Sequence, residues 1–168
     1  MKKILSVILA VILLVTATGI SAYAISSSRL VSGNEDYLMV LDAYNIVVAA
    51  DGMRLEDLSY VIQNDWFAVL DSQGNGISAD RYVGTGMIMC VVTENGEILS
   101  TYGVVVPFDL DGNGRVTTAD ARIALRQALQ LESVTDFSLL AGDANADLKI
   151  TSFDARVILR AALGLSID

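Results

Sequence analysis

Histidine is absent from the 168 residues, and cysteine, proline and tryptophan occur once each. Without an imidazole, proton transfer and metal ligation fall mainly to carboxylates. One thiol, Cys90, cannot close an internal disulfide, and its place in an apolar strand-like run reads as a small buried hydrophobe. Stability therefore has to come from core burial and bound metal. Positive charge is also scarce: 11 Lys and Arg stand against 20 Asp and Glu, a net charge of −9. That balance argues against nucleic acid or an anionic membrane surface as a partner and suits a chain that concentrates cations. Long apolar runs are few. The one at residues 4–15 is short for a membrane span, and no basic stop-transfer cluster follows it.

That run lies between Lys2-Lys3 and the small-x-small sequence Ala22-Tyr23-Ala24, the pattern of a secretory signal peptide cleaved after Ala24. No cysteine lies near the cleavage point, which disfavours a lipid-anchored form. Cleavage removes Lys2 and Lys3 and leaves 9 basic residues, eight of them Arg, against 20 acidic ones, a net charge of −11. The expected organisation is a signal peptide at 1–24, a Ser-rich flexible lead at 25–36, a small α+β module at 37–107 and a second domain, built from two repeats, at 108–168. The expected location is secreted or extracellular.

Within 37–107, residues 37–41, 45–50 and 66–70 are apolar and partly β-branched, so they read as strands. Leu55, Leu58 and Ile62 repeat at the spacing of one helix face, which predicts a helix over 54–62. Residues 87–93 and 98–106 flank Glu94-Asn95-Gly96-Glu97, where Asn-Gly supplies two positive-φ positions for a tight hairpin. Pro107, the one proline, closes the unit. The expected fold is α+β: a sheet of three to five strands with one helix on a face, then an all-α pair of loop–helix repeats. Asp71-Ser72-Gln73-Gly74-Asn75-Gly76 imitates the start of a metal loop. Its twelfth position falls on Tyr82, which is no carboxylate, so it reads as a polar turn.

The repeats carry the chemistry. Residues 109–132 and 143–166 are offset by 34 and are identical at ten of 24 positions. Each holds a twelve-residue loop with oxygen donors at positions 1, 3, 5, 7, 9 and 12, the spacing that wraps a hard cation in six to eight oxygens. In the first loop these are Asp109, Asp111, Asn113, the carbonyl of Arg115, Thr117 through a water, and Asp120. In the second they are Asp143, Asn145, Asp147, the carbonyl of Lys149, Thr151 and Asp154. Two Ca2+ ions are implied, each facing three carboxylates. Position 12 sits in the first turn of the following helix, where an anion also meets the positive end of the helix dipole. Position 6 needs a sharp turn, which Gly114 provides and Leu148 does not. The expectation is a weaker second site or a distorted turn. Apolar stripes follow on both helices (Ile123, Leu125, Ala128, Leu129, Leu131 and Val157, Leu159, Ala162, Leu163, Leu165), with a short connecting helix over 134–140. A ligand that binds only the folded loops stabilises them by about 2.7 kcal/mol at a hundredfold excess over Kd, so a chelator is expected to melt 109–166 well before 37–106.

Two such loops, each followed by one helix carrying Ala-Arg-x-x-Leu-Arg after an Asp at position 12, resemble the type I dockerin of bacterial cellulosomes. The resemblance covers residues 108 to about 166. It implies docking to a cohesin module of a scaffold or cell-surface protein. It also implies that loop positions 10 and 11, here Thr118 and Ala119 and then Ser152 and Phe153, recognise the partner together with Arg122, Arg126, Arg156 and Arg160 on the helix faces. Phe153 is either an exposed anchor for an apolar pocket or part of the domain core. The arginines either face the partner or are solvated helix charges. The first unit is similar, more loosely, to small β-rich modules that precede dockerins.

Three functions remain in view. The first is a non-catalytic, calcium-folded docking protein of a polysaccharide-degrading system. Its first unit would be cargo, with Trp66, Tyr82 and Tyr102 either stacking against carbohydrate or buried in strands. The second is a glycoside hydrolase, which needs two carboxylates about 5–10 Å apart in a cleft. The acidic residues of the first unit (Asp42, Asp65, Asp71, Asp80) are scattered, and the unit leaves little room for such a cleft. The third is a purely structural calcium module.

Overall fold

A computed structural model describes residues 33–167 apart from Glu35 and Asp65. The signal peptide and most of the lead lie outside the described residues. Strands β1 (Leu38–Leu41), β2 (Ile46–Ala49), β3 (Phe67–Leu70), β4 (Ile88–Val92) and β5 (Ile98–Val105) form one sheet in the order β1-β2-β5-β4-β3. Helices are α1 (Leu55–Leu58), α2 (Thr118–Ala128), α3 (Asp136–Gly142) and α4 (Ser152–Ala162). No helix among the described residues is long and apolar enough to cross a membrane.

The sheet is mixed. β1 with β2, β3 with β4 and β4 with β5 run antiparallel, but β2 and β5 pair in parallel, Val47 opposite Val104. The hairpin between β4 and β5 forms where expected, with a different turn. Among its residues only Gly96 takes positive φ (+82°); Asn95 does not. Gly96 N–H donates to the Thr93 carbonyl and Thr93 N–H to the Glu97 carbonyl, both at 2.9 Å. This is a three-residue loop ending in a left-handed glycine, and a bulge at Val91–Val92 absorbs the offset. α1 is also shorter than the spacing predicts. Leu58, Val61 and Ile62 are buried on one side, but the helix proper lasts a single turn.

The expectation of a β-rich unit with one covered face and a separate all-α pair is overturned by where α3 sits. All four residues of β2 are buried. In a strand, neighbouring side chains point to opposite faces, so both faces of β2 must be covered. Val47 and Ala49 face a core with Leu58, Met89, Tyr102 and Val104. Ile46 and Val48 face the other way, where Val105, Leu140 and Ala141 meet them and Phe137 packs alongside. α3 is therefore the second roof of the sheet. At about 1.5–3 kcal/mol per fully buried apolar side chain, separating it would cost several kcal/mol. Ser138 Oγ also donates to the Leu110 carbonyl at 3.0 Å, and Phe108 N–H to the Ala141 carbonyl at 2.8 Å. The whole is α+β, with the C-terminal repeats built onto the sheet.

α2 and α4 pack on each other through three alanines, Ala121, Ala124 and Ala155, and the larger Ile158, with Leu110 and Ile150 closing the cluster. The leucines of the expected stripes go elsewhere. Leu125, Leu129 and Leu131, and their counterparts Leu159, Leu163 and Leu165, are exposed. Both helices end alike, with Gln130 (φ +58°) and Gly164 (φ +66°) in the left-handed position and Leu131 and Leu165 N–H donating to the carbonyls of Arg126 and Arg160.

Candidate metal centre and docking face

Each loop is drawn tight by its own side chains. In the first, Asp109 Oδ1 accepts from Asn113 N–H (3.1 Å) and Oδ2 from Gly114 N–H (3.1 Å). Asp111 Oδ1 accepts from Asn113 N–H (3.0 Å), and Asn113 Oδ1 from Arg115 N–H (2.8 Å). Asp120 reaches back from α2: Oδ1 accepts from Leu110 N–H (2.8 Å) and Oδ2 from Thr117 N–H (2.8 Å). The second loop repeats this 34 residues on. Asp143 accepts from Asp147 and Leu148 N–H, Asn145 from Asp147 N–H, Asp147 from Lys149 N–H, and Asp154 from Ala144 and Thr151 N–H. The turn at Leu148 is not distorted. Its φ is +66° beside +80° at Gly114, and its N–H bond to Asp143 is kept at 2.7 Å. Position 4 is left-handed as well, at Gly112 (+73°) and Ala146 (+63°), a demand that the position-6 argument misses.

Carboxylate oxygens of Asp109, Asp111 and Asp120 lie within 4.8 Å of one another, with Asp109 and Asp120 wholly buried. Among the described residues no ion pair reaches either buried group. Burial pushes the Asp109 carboxyl from its ordinary 3.8 up to about 6. The N–H bonds from Thr85 and Gly114 oppose this, and the nearby charges of Asp120 and Asp111 add to it. Burial likewise raises Asp143, against the N–H bonds from Leu148 and Asp147. Hard oxygens turned inward without a balancing charge are a donor set that fits a divalent cation. Thr117 and Thr151 have a further duty as helix N-caps. Their hydroxyls accept from Ala119 and Phe153 N–H, and each donates to the position-12 carboxylate. Asp120 and Asp154 thus complete capping boxes while facing the loop.

Residues 107–163 match the family model of the dockerin type I domain. That segment, about a third of the chain, is consistent with a type I dockerin domain. Neither the curated proteins nor the solved structures give a significant match to the chain. A dockerin is a docking module and carries no catalysis itself.

On the dockerin surface Thr118, Ser152, Arg122 and Arg156 are exposed and Ala119 is half-buried. Phe153 is 42% exposed, outside the domain core, with the Arg156 guanidinium 5.4 Å from its ring centroid. Arg126 and Arg160 are held locally: Arg126 Nε pairs with Glu132 at 2.8 Å, and Arg160 Nε donates to the Ser166 carbonyl at 2.7 Å. Of the six exposed leucines, Leu125 and Leu159 lie on these two helices and the other four follow the helices' C-terminal ends. The sequence shows them as stripes but not that the stripes are left uncovered.

In the sheet unit Asp71 caps its own turn, accepting from Gln73 and Asn75 N–H. Asp42 accepts from the Tyr102 hydroxyl at 2.9 Å, while the Tyr102 ring is buried. Asp65 lies outside the described residues. Tyr82 is half-buried, its ring centroid 4.9 Å from Arg115 and 5.4 Å from Arg54. Trp66 is 51% exposed.

Proposed function

We propose that the dockerin domain binds two calcium ions, one per loop, and that the helices it thereby orders dock a cohesin module of a cellulosome-type scaffold or cell-surface protein. Asp109, Asp111, Asn113, the Arg115 carbonyl, Thr117 and Asp120 form the first site. Asp143, Asn145, Asp147, the Lys149 carbonyl, Thr151 and Asp154 form the second. The observation that carries this reading is the buried approach of Asp109 to Asp120, which no Lys or Arg among the described residues balances.

A bound calcium ion supplies two positive charges and six to eight oxygen positions. The chain supplies the rest. Asp120 and Asp154 tie position 12 to the helix start, so the same carboxylate fixes the loop and the first turn of α2 or α4. The two helices, locked through Ala124 and Ile158, present one face. Thr118, Ala119, Ser152 and Phe153 lie at its loop end, and the arginines and exposed leucines extend along it. Ala119 against Phe153 makes the two halves unequal, so one orientation of the partner is preferred. The N-terminal pattern of residues 1–24 supports export, which would place the protein outside the cell with the sheet unit as docked cargo.

Pull-down on a cohesin panel tests the proposal. The unaltered chain should bind in calcium and release in chelator. Thr118→Asp with Ser152→Asp should lose the partner while calcium titration stays unchanged. Binding to no cohesin from the source organism, with both loops filled, would leave a purely structural calcium module. Polysaccharide turnover abolished by Asp→Asn changes in the sheet unit would overturn the non-catalytic reading.

A further inference from the structure

The sheet unit walls in the first loop and leaves the second open. Thr85 N–H donates to Asp109 Oδ2 at 2.8 Å, beside the loop's own bond from Gly114. Thr85 Oγ1 accepts from Val106 N–H (3.0 Å) and donates to the Val106 carbonyl (3.2 Å), and that carbonyl also accepts from Asp109 N–H (3.1 Å). One residue therefore holds both the first ligand and the backbone three positions before it. The two backbones approach too closely for side chains. A Cβ at Gly84 would stand 2.1 Å from the Gly112 carbonyl oxygen, and one at Gly114 would stand 2.6 Å from that of Val83. Farther along, Gly52 N–H donates to the Gly114 carbonyl (2.9 Å), Val116 N–H to Asp51 Oδ1 (2.9 Å), and Arg115 Nη1 to the Tyr82 hydroxyl (3.0 Å).

The second loop differs. Its counterparts of Gly112 and Gly114 are Ala146 and Leu148, and neither is fully buried. Among the described residues, the hydrogen bonds to the carboxylates of Asp143 and Asp154 come from within that loop. The glycines of the first loop thus answer two demands, a left-handed turn and a backbone lying against them. The second loop meets only the turn, which is why it can carry a leucine.

We infer that Thr85 is a positioning residue for the first metal site and residues 82–85 its outer wall, so that cation binding there is coupled to the sheet unit while the second loop binds independently of it. This rests on the metal reading above. An outer-shell donor orients a ligand carboxylate and tunes affinity. Coupling is reciprocal, so the cation tightens the sheet unit by as much as the sheet unit tightens the site. Chelation then loosens the sheet around Thr85 together with the first loop, in place of a clean early melting of 109–166.

The test is a calcium titration of the full chain followed by amide NMR. Gly114 and Leu148 report the two loops, Val83 and Thr85 the wall, and hydrogen exchange at Val104 and Val106 the sheet. The Val83 and Thr85 amides should move with Gly114 and not with Leu148, and exchange at Val104 and Val106 should slow as the first loop fills. Thr85→Ala keeps the N–H to Asp109 but removes the hydroxyl that fixes the Val106 backbone, so it should weaken the first loop by up to about tenfold, leave the second within about twofold, and be rescued by Thr85→Ser. Equal effects on both loops, or on neither, overturn the coupling. So do wall amides and sheet exchange that ignore calcium in the unaltered protein, a measurement that decides even if Thr85→Ala fails to fold. If no amide of either loop responds to calcium, the metal reading falls and takes the coupling with it. Calcium filling both loops with Thr85 silent sinks the coupling alone.

Discussion

Replacing Leu148 with glycine should tighten the second metal loop. Leu148 holds φ +66° where the first loop has Gly114 at +80°, and both donate N–H to the first ligand, at 2.7 Å and 3.1 Å. The second loop keeps the turn by holding a leucine in the left-handed region, at a cost of about 1–2 kcal/mol. Glycine removes that strain but adds about 0.5–1 kcal/mol of chain entropy to be lost on ordering. The net gain lies between about 0 and 1.5 kcal/mol, with a middle value of roughly 0.75 kcal/mol, about a three- to fourfold lower Kd. The reverse experiment at Gly114 should not be symmetric. A Cβ there meets Val83 O at 2.6 Å and Tyr82 Cβ at 2.7 Å, so Gly114→Ala adds a clash to the strain and should weaken the first loop more than roughly tenfold. Residue-resolved calcium titration of both variants is the assay. A second loop no tighter in Leu148→Gly, or a first loop indifferent to Gly114→Ala, would refute this reasoning.

Acid should act on the same sites. Burial raises the Asp109 carboxyl to about 6, so the metal-free folded chain keeps a proton that the unfolded chain has lost. Metal-free stability therefore falls as pH rises from about 4 to 6. The cation must displace that proton, and Kd at the first loop should rise about tenfold per pH unit below 6; an affinity constant between pH 7 and 5 contradicts this. Asp143 is raised too, so the second loop should weaken in the same direction. At the helix pair, Ile158 is fully buried against Ala124. Ile158→Ala should cost about 2–5 kcal/mol in calcium-saturated melting, and a loss under about 1 kcal/mol would mean that α2 and α4 do not depend on that contact.

The sequence by itself determined the loops. Their inward carboxylates, helix starts and capping boxes are made within twelve consecutive residues, so spacing alone specifies them, and the 34-residue repeat copies most of the bonds. It also placed the five strands to within a residue or two, because apolar runs between turns are local signals. Only the tertiary structure decided what those elements meet. The parallel pairing of β2 with β5 joins segments more than fifty residues apart, and no periodicity records such a partner. An unbroken apolar β2 shows that both faces need a cover, but not that α3 is the second one. A leucine stripe marks a helix face, yet whether it is core or surface depends on what lies opposite, and here nothing among the described residues covers it. The glycines of the first loop look like turn residues in the sequence, whereas the fold sets the sheet unit's backbone against them, a contact that residues close in the chain cannot encode.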